Sequence, residues 1–434
     1  MLRRRSTDLT GDGGGDGTPL LAVERLEVDF PTADGVVHAV RGVDLELRSG
    51  EVLGIVGESG SGKSVTAMAT MGLLPRSARI RGSVRYRGHE LLRRSEKQLM
   101  GYRGKSIAMI FQDPMTSLNP VYSVGWQIAE AIRAHQDVSK EEATRRAVEL
   151  LRKVGIPNPE ERVASYPHEF SGGMRQRVVI AIAIANDPDV ILADEPTTAL
   201  DVTVQAQVLE ALGAALHTTH AALLLITHDL GVIAGLADRV VVMYAGRPVE
   251  VGTVDDIFYA PAMPYTLGLL GSLPRVDTDG SERLRPIPGA PPSMLGDLRG
   301  CPFAPRCPIA EDRCRAVEPE LAAVAGEHAG HLAAGHLAAC HLAERVRASG
   351  APLFAATSAD TDGDGDGDGD GGATAAQRDL EEDLLHGHAR DVPPGPGPGN
   401  YVLADGFAEA GPGHYELPLL EDRDGDDGDG DRRP

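Results

Sequence analysis

Eight residues constrain this 434-residue chain more than any others: Gly57-Glu58-Ser59-Gly60-Ser61-Gly62-Lys63-Ser64. They fit the pattern G-x-x-x-x-G-K-[ST] in full. They also stand between a short apolar run, EVLGIVG from Glu51, and a helix predicted to start near Lys63 and run through VTAMATMGLL. A buried strand that feeds a glycine turn and then a helix N-terminus is an anion-binding unit. Its backbone N–H groups and the helix's partial positive charge converge on one point. Gly57, Gly60 and Gly62 let the backbone close in around phosphates, with Ser59 and Ser61 between them. Lys63 is then placed to reach the terminal phosphates, and the Ser64 hydroxyl to ligate Mg²⁺.

Such a loop needs a second acidic strand end. Val190-Ile191-Leu192-Ala193-Asp194-Glu195 offers one: four apolar residues bury the strand, and Asp194 emerges at its end to hold the metal shell. Glu195 comes next and can polarise an attacking water. Further apolar runs start at Leu20, Val37, Ala222 and Arg239, and they alternate with helical stretches. The longest of those is predicted over Ala129–Val154. Strands alternating with helices predict an α/β fold with a largely parallel central sheet.

Two further motifs precede or follow strands. Phe170-Ser171-Gly172-Gly173-Met174-Arg175-Gln176 leads into an apolar helix, and Ser171 with Gly172 and Gly173 makes another anion-friendly helix start. His228 stands two residues beyond an apolar strand, where a lone His is ordinarily structural. As an ordered set these features resemble the ATP-binding subunit of an ABC transporter: Walker A at Gly57–Ser64, Q-loop at Gln112, signature at Ser171–Met174, Walker B to Glu195, D-loop at Ala199-Leu200-Asp201, and switch His228. The likeness spans about three-quarters of the chain, Leu20 to Cys340. The decapeptide Phe111–Pro120 and the segment Tyr166–Arg177, with Met174 after the glycines, resemble the oligopeptide and dipeptide importer branch in particular.

The resemblance implies a P-loop NTPase core with an antiparallel β subdomain and a helical subdomain. It implies that Phe30 stacks on adenine, with a core Phe closing a strand as the other reading of that residue. Gln112 would touch Mg²⁺ or the attacking water, His228 the γ-phosphate, and Asp201 the dimer seam. In this family ATP lies between one subunit's phosphate loop and another's signature helix. One chain with one of each therefore implies a second ATP-binding subunit, identical or related. Two transmembrane permease subunits and an extracytoplasmic solute-binding protein are the other implied partners, with the chain peripheral on the cytoplasmic face of the membrane. The expected function is ATP hydrolysis that powers import of peptides, with nickel or another small solute as the alternative cargo.

All four cysteines lie in a late segment with the spacing C-x5-C-x6-C-x25-C: Cys301, Cys307, Cys314 and Cys340. Clustering in a reducing compartment favours metal binding over disulfides. Four thiolates are the usual ligand set of a 4Fe-4S cluster, and the extension resembles the C-terminal domain of peptide-importer ATPases, some of which carry one. The spacing is not that of a zinc ribbon, but His331, His336 and His341 keep zinc open, and plain reduced thiols remain a third reading.

Composition divides the chain further. Residues 1–19 are Gly/Asp-rich and predicted to be disordered, 20–273 form the ATPase domain, 274–345 the cysteine extension, and 346–434 an acidic low-complexity tail. From Gly350 onward 21 Asp and Glu face five Arg, a local charge of −16 out of the chain's −22. The body is therefore only mildly acidic, which argues against nucleic-acid binding through phosphate contacts. No stretch approaches 18 consecutive apolar residues, so no membrane span is expected, and the N-terminus lacks the apolar region of a secretory signal. A soluble ABC-type ATPase acting on DNA or ribosomes fits less well. Only 107 residues separate Lys63 from Ser171, too few for a long coiled coil, and there is one ATPase domain rather than two.

Overall fold

In a computed structural model of the chain, the described residues are 18–198, 200–272, 287–296, 298–324 and 335–349. His331 and the Asp-Gly tail lie outside them. Two sheets organise the structure. The first is antiparallel, in the order β2-β1-β4-β5, from β1 (Leu21–Thr32), β2 (Gly35–Leu47), β4 (Arg79–Tyr86) and β5 (His89–Glu90). The second has eight strands: β3 (Val52–Val56), β6 (Ile107–Ile110), β7 (Val190–Asp194), β8 (Ala222–Ile226), β9 (Arg239–Tyr244), β10 (Arg247–Thr253), β11 (Ala322–Ala323) and β12 (Leu337–Ala338). Their order is β11-β12-β10-β9-β3-β8-β7-β6, and β9, β3, β8, β7 and β6 run parallel.

The near-continuous apolar runs exist because both faces of this sheet are covered. Alternate residues divide between two cores. Val52, Val56, Ile191, Ala193, Leu223, Leu225, Val240 and Val242 face one, and Leu53, Ile55, Val190, Leu192, Leu224, Ile226 and Val241 the other. The first core is closed by the helices Val124–Arg133, Lys140–Lys153, Gly172–Ala183 and Val202–Thr219, the second by the helix Lys63–Thr70 and the antiparallel sheet. Among the described residues no helix is long and apolar enough to cross a membrane.

Two helix expectations change. The stretch Ala129–Val154 is not one helix: the first helix ends at Arg133 and a second starts at Lys140. Ser139 causes the restart by accepting the Glu142 N–H at 3.2 Å, an N-cap that the interleaved charges hide from a periodicity reading. The helix after the phosphate loop stops at Thr70 and does not reach Leu74, because Gly72 takes φ +63° and turns the chain. The cysteine segment joins the same sheet through its edge, where β12 pairs antiparallel with β10 at Glu250↔Ala338 and Val251↔Leu337.

Candidate functional site

β3 delivers the phosphate loop and the helix Lys63–Thr70 carries it away. Gly57 has φ +151°, and a Cβ there would sit 2.2 Å from the Met243 carbonyl oxygen; Gly62 has φ +97°, and its Cβ would sit 2.5 Å from that of Ala39. The loop is thus pressed against β9 and β2, and only glycine fits at these two points. Lys63 is 4% exposed. Its Nζ donates to the carbonyl oxygens of Gly57 (2.8 Å) and Glu58 (2.9 Å) and to Ser61 Oγ (3.4 Å). Burial pulls its pKa below the usual lysine value, against the attraction of Glu195, Asp194 and Glu58.

The ends of β6, β7 and β8 bring the other groups to this rim. Ser64 Oγ donates to Asp194 Oδ1 at 2.9 Å. Burial raises Asp194 above the ordinary carboxylate range; the Ser64 hydrogen bond opposes it, Glu195 adds to it, and Lys63 opposes it again. A hydroxyl and a desolvated carboxylate side by side are hard oxygen donors suited to Mg²⁺, whose charge would offset that burial. Glu195 has φ +46°, a left-handed conformation unusual for a residue with a side chain, held by its N–H on the Ile226 carbonyl at 2.8 Å. One carboxylate oxygen, Oε2, collects three groups. Thr198 Oγ1 donates at 2.7 Å, Gln112 Nε2 donates at 3.2 Å, and His228 Nδ1 stands at 3.5 Å.

Sequence reasoning therefore placed Lys63, Ser64, Gln112, Asp194, Glu195 and His228 at one rim, and the structure brings them together. A second group forms elsewhere. Ser171 caps the helix Gly172–Ala183 by accepting the Met174 N–H at 3.4 Å. Asp201 caps the helix Val202–Thr219 by accepting the N–H groups of Thr203 (3.1 Å) and Val204 (3.0 Å). The two helices meet where a Cβ on Gly173 would strike Val204 Cγ1 at 2.1 Å, so Gly173 has a packing reason of its own, while Gly172 makes only ordinary contact with Leu200. Gln205 ties this pair back to the rim through Asp229 Oδ2 at 2.8 Å, next to His228. Phe30 is half-buried in β1, opposite Val37 and against the core of the antiparallel sheet. Ser59 and Gly60 lie exposed at the loop tip.

Thr198, Tyr265 and Arg306 escaped the sequence reading. Tyr265 Oη accepts the Glu58 N–H at 2.8 Å. Arg306 sits inside the run Cys301-Pro-Phe-Ala-Pro-Arg-Cys307, and an Arg fenced by prolines and cysteines was the signal available for it.

The four cysteines line one small cavity, with Met263, Phe303 and His341 beside them. The Leu342 N–H points at the Cys340 sulfur at 3.3 Å, while the Ala304 N–H donates to the Cys301 carbonyl oxygen at 2.9 Å. Burial raises three of the thiols: Cys301, Cys307 to about 11 and Cys340 to about 12. Bare thiolates would be costly there without a cation. His336 is turned elsewhere: fully buried, its Nε2 lies 2.7 Å from Glu250 Oε1. His341 Nε2 lies 3.0 Å from the Val317 carbonyl oxygen. Among the described residues no group of three or more His, Cys, Asp or Glu is placed to hold a metal ion.

Residues 40–198 match the family described as ABC transporter, and residues 249–314 the family described as Oligopeptide/dipeptide transporter, C-terminal region. The chain is 59% identical over 312 residues to the oligopeptide transport ATP-binding protein OppD of Mycobacterium tuberculosis, which covers 72% of this chain and 51% of that protein. It is 53% identical over 302 residues to the dipeptide transport ATP-binding protein DppD of Bacillus subtilis, covering 69% of this chain and 90% of that one. With the OppD of Salmonella typhimurium the identity is 52% over 300 residues, 69% of this chain and 89% of that protein. The chain spans about half the length of the mycobacterial relatives it matches.

Proposed function

We propose, for a chain that belongs to the ABC transporter family and within it to the oligopeptide and dipeptide transport ATP-binding proteins, that it hydrolyses ATP to power peptide import across a membrane. The observation that carries the hydrolytic part is the convergence of Thr198, Gln112 and His228 on Glu195, beside the Ser64–Asp194 pair and the buried Lys63. The loop's N–H groups and Lys63 bind the phosphates. Ser64 and Asp194 would hold Mg²⁺, which when bound neutralises charge on the transferring phosphoryl group. Glu195 orients the attacking water and takes up its proton, with Gln112 and Thr198 fixing the carboxylate so that no reorganisation is needed as charge develops. His228, exposed on one side and against Glu195 on the other, is placed to meet the γ-phosphate.

Ser171, Gly172, Gly173 and Asp201 would serve a second subunit, closing on that partner's nucleotide while the partner does the same in return. Phe30 would stack on adenine. Two permease subunits, bound through the helical segment between Gln112 and Ser171, and a solute-binding protein would complete the machine, with this chain peripheral at the cytoplasmic face. The peptide cargo is favoured by the match of residues 249–314 and by the names of the relatives. The test is the complex reconstituted in vesicles with its permeases. Peptide uptake should require ATP, and ATP turnover should rise when peptide-loaded binding protein is added. Turnover that responds to nickel chelates and not to peptides would replace the cargo. No turnover at all would overturn the reading.

The four cysteines would hold a 4Fe-4S cluster. The reading is supported by their common cavity and by the Leu342 N–H that meets the Cys340 sulfur, although among the described residues no group of three or more such side chains is placed for a single metal ion. When bound, such a cluster would staple the proline-rich segment, since ligand binding is then folding free energy. Anaerobically purified protein is expected to be brown and to hold roughly four irons per chain. Each of Cys301→Ser, Cys307→Ser, Cys314→Ser and Cys340→Ser should lose the colour. Stoichiometric zinc without iron in elemental analysis would replace the cluster with zinc, and neither metal would sink both.

A further inference from the structure

Arg306 crosses 248 residues of sequence to reach the phosphate loop. Its Nη1 donates to Glu58 Oε2 at 2.7 Å and its Nη2 to Glu58 Oε1 at 2.9 Å, a bidentate pair. The guanidinium is almost wholly buried, and its other donors are also taken. Nε donates to the Pro288 carbonyl at 2.9 Å and Nη1 to Tyr244 Oη at 3.2 Å. The rings of Tyr244 and Phe303 flank it, each 5.9 Å from the guanidinium carbon. Glu58 is thereby held at three points: its side chain by Arg306, its N–H by Tyr265 and its carbonyl oxygen by Lys63.

Hydrolysis itself asks for none of this. A phosphate loop works through backbone N–H groups and a lysine, and a carboxylate on such a loop repels the polyphosphate it must receive. We propose that Arg306 is a positioning residue for nucleotide binding: it fixes the Glu58 carboxylate and offsets its charge, so that the cysteine segment sets the affinity of the phosphate loop for ATP. The inference rests on the reading of that loop as the ATP site. Its consequence is specific. Removing Arg306 leaves an unpaired carboxylate on the loop, and removing the carboxylate as well takes the repulsion away.

The test is a binding titration of the full chain with a fluorescent ATP analogue, alongside its melting temperature. Arg306→Met is expected to weaken binding about tenfold, the scale of one uncompensated carboxylate acting on a nearby phosphate. Arg306→Lys, which keeps the charge but not the fork, should lose about threefold. The decisive variant is Arg306→Met with Glu58→Gln, which should return to within about threefold of the wild type because the two effects are not additive. A segment that merely braces the fold would make the double variant as weak as the single one or weaker, and that result overturns the proposal. Unchanged binding in Arg306→Met does so as well. If Arg306→Met does not fold, the Lys variant and the double variant carry the same comparison. A wild-type chain that binds no analogue would instead remove the ATP site, and this inference with it.

Discussion

Glu195→Gln is expected to leave ATP binding within about twofold of the wild type while turnover falls by roughly 10²- to 10³-fold, the scale of losing a positioned general base. The side chain keeps its length and can still accept from Thr198 and Gln112, so the site's shape survives. What is lost is an oxygen able to take a proton. The backbone explains why no neighbour can substitute. Glu195 is held at φ +46° by its N–H on the Ile226 carbonyl, a conformation that costs about 1 kcal/mol or more for a residue with a side chain and sets its carboxylate beside Gln112 and His228, while Asp194 is engaged by Ser64. With chemistry stalled and binding intact, the variant should accumulate as an ATP-bound dimer, visible by size-exclusion chromatography. Steady-state turnover within a few-fold of the wild type would remove Glu195 from its role.

Lys63→Ala should fail one step earlier. Its ammonium is buried, and three oxygens of the loop are gathered around it. Truncation removes the charge that would meet the terminal phosphates and orphans those acceptors, a loss of about 2–4 kcal/mol, or roughly 30- to 1,000-fold in nucleotide affinity. Loss of those three hydrogen bonds should also lower the melting temperature in the absence of nucleotide, while loss of a charge that burial already disfavours works the other way. A titration with a fluorescent ATP analogue gives the answer. Affinity within threefold of the wild type would show that backbone N–H groups alone hold the phosphates. The pair of variants separates binding from chemistry: Lys63→Ala should lose both, Glu195→Gln only the second.

The reagents of this site were legible because each follows a strand end that its own apolar run announces. Asp194 closes β7 and Glu195 follows it, His228 follows β8, and Gln112 follows β6. The apolar runs were legible because a sheet covered on both faces leaves no polar alternation to blur them. What the sequence concealed is whatever acts across distance. Tyr265 meets Glu58 over 207 residues and Arg306 over 248, and no local pattern marks either contact. The break between Arg133 and Lys140 was hidden differently. Its only sign is a serine cap, and the charged residues around it carry helical spacing on both sides. Gly173 reads from the sequence as part of an anion site, yet the neighbour that demands a glycine there is Val204, on a helix some thirty residues later.

β6 and β7 are bonded side by side, from Ile107↔Val190 to Ile110↔Ala193, although 79 residues run between them. Gln112 stands at the first stem of that excursion, and the stacked and exposed pair Tyr122 and Trp126 lies further along it, at the start of a helix whose other face packs into the first core. Closing a long excursion costs little more than closing a short one, about 0.6 kcal/mol for each doubling of length. Replacements among its exposed residues, which spare Gln112, the capped helix at Ser171 and the side chains packed into the first core, therefore leave the stems and the rim where they are. An exposed patch such as Tyr122 and Trp126 can thus change its chemistry while the rim keeps its geometry, which would let related chains take different companions without altering the site.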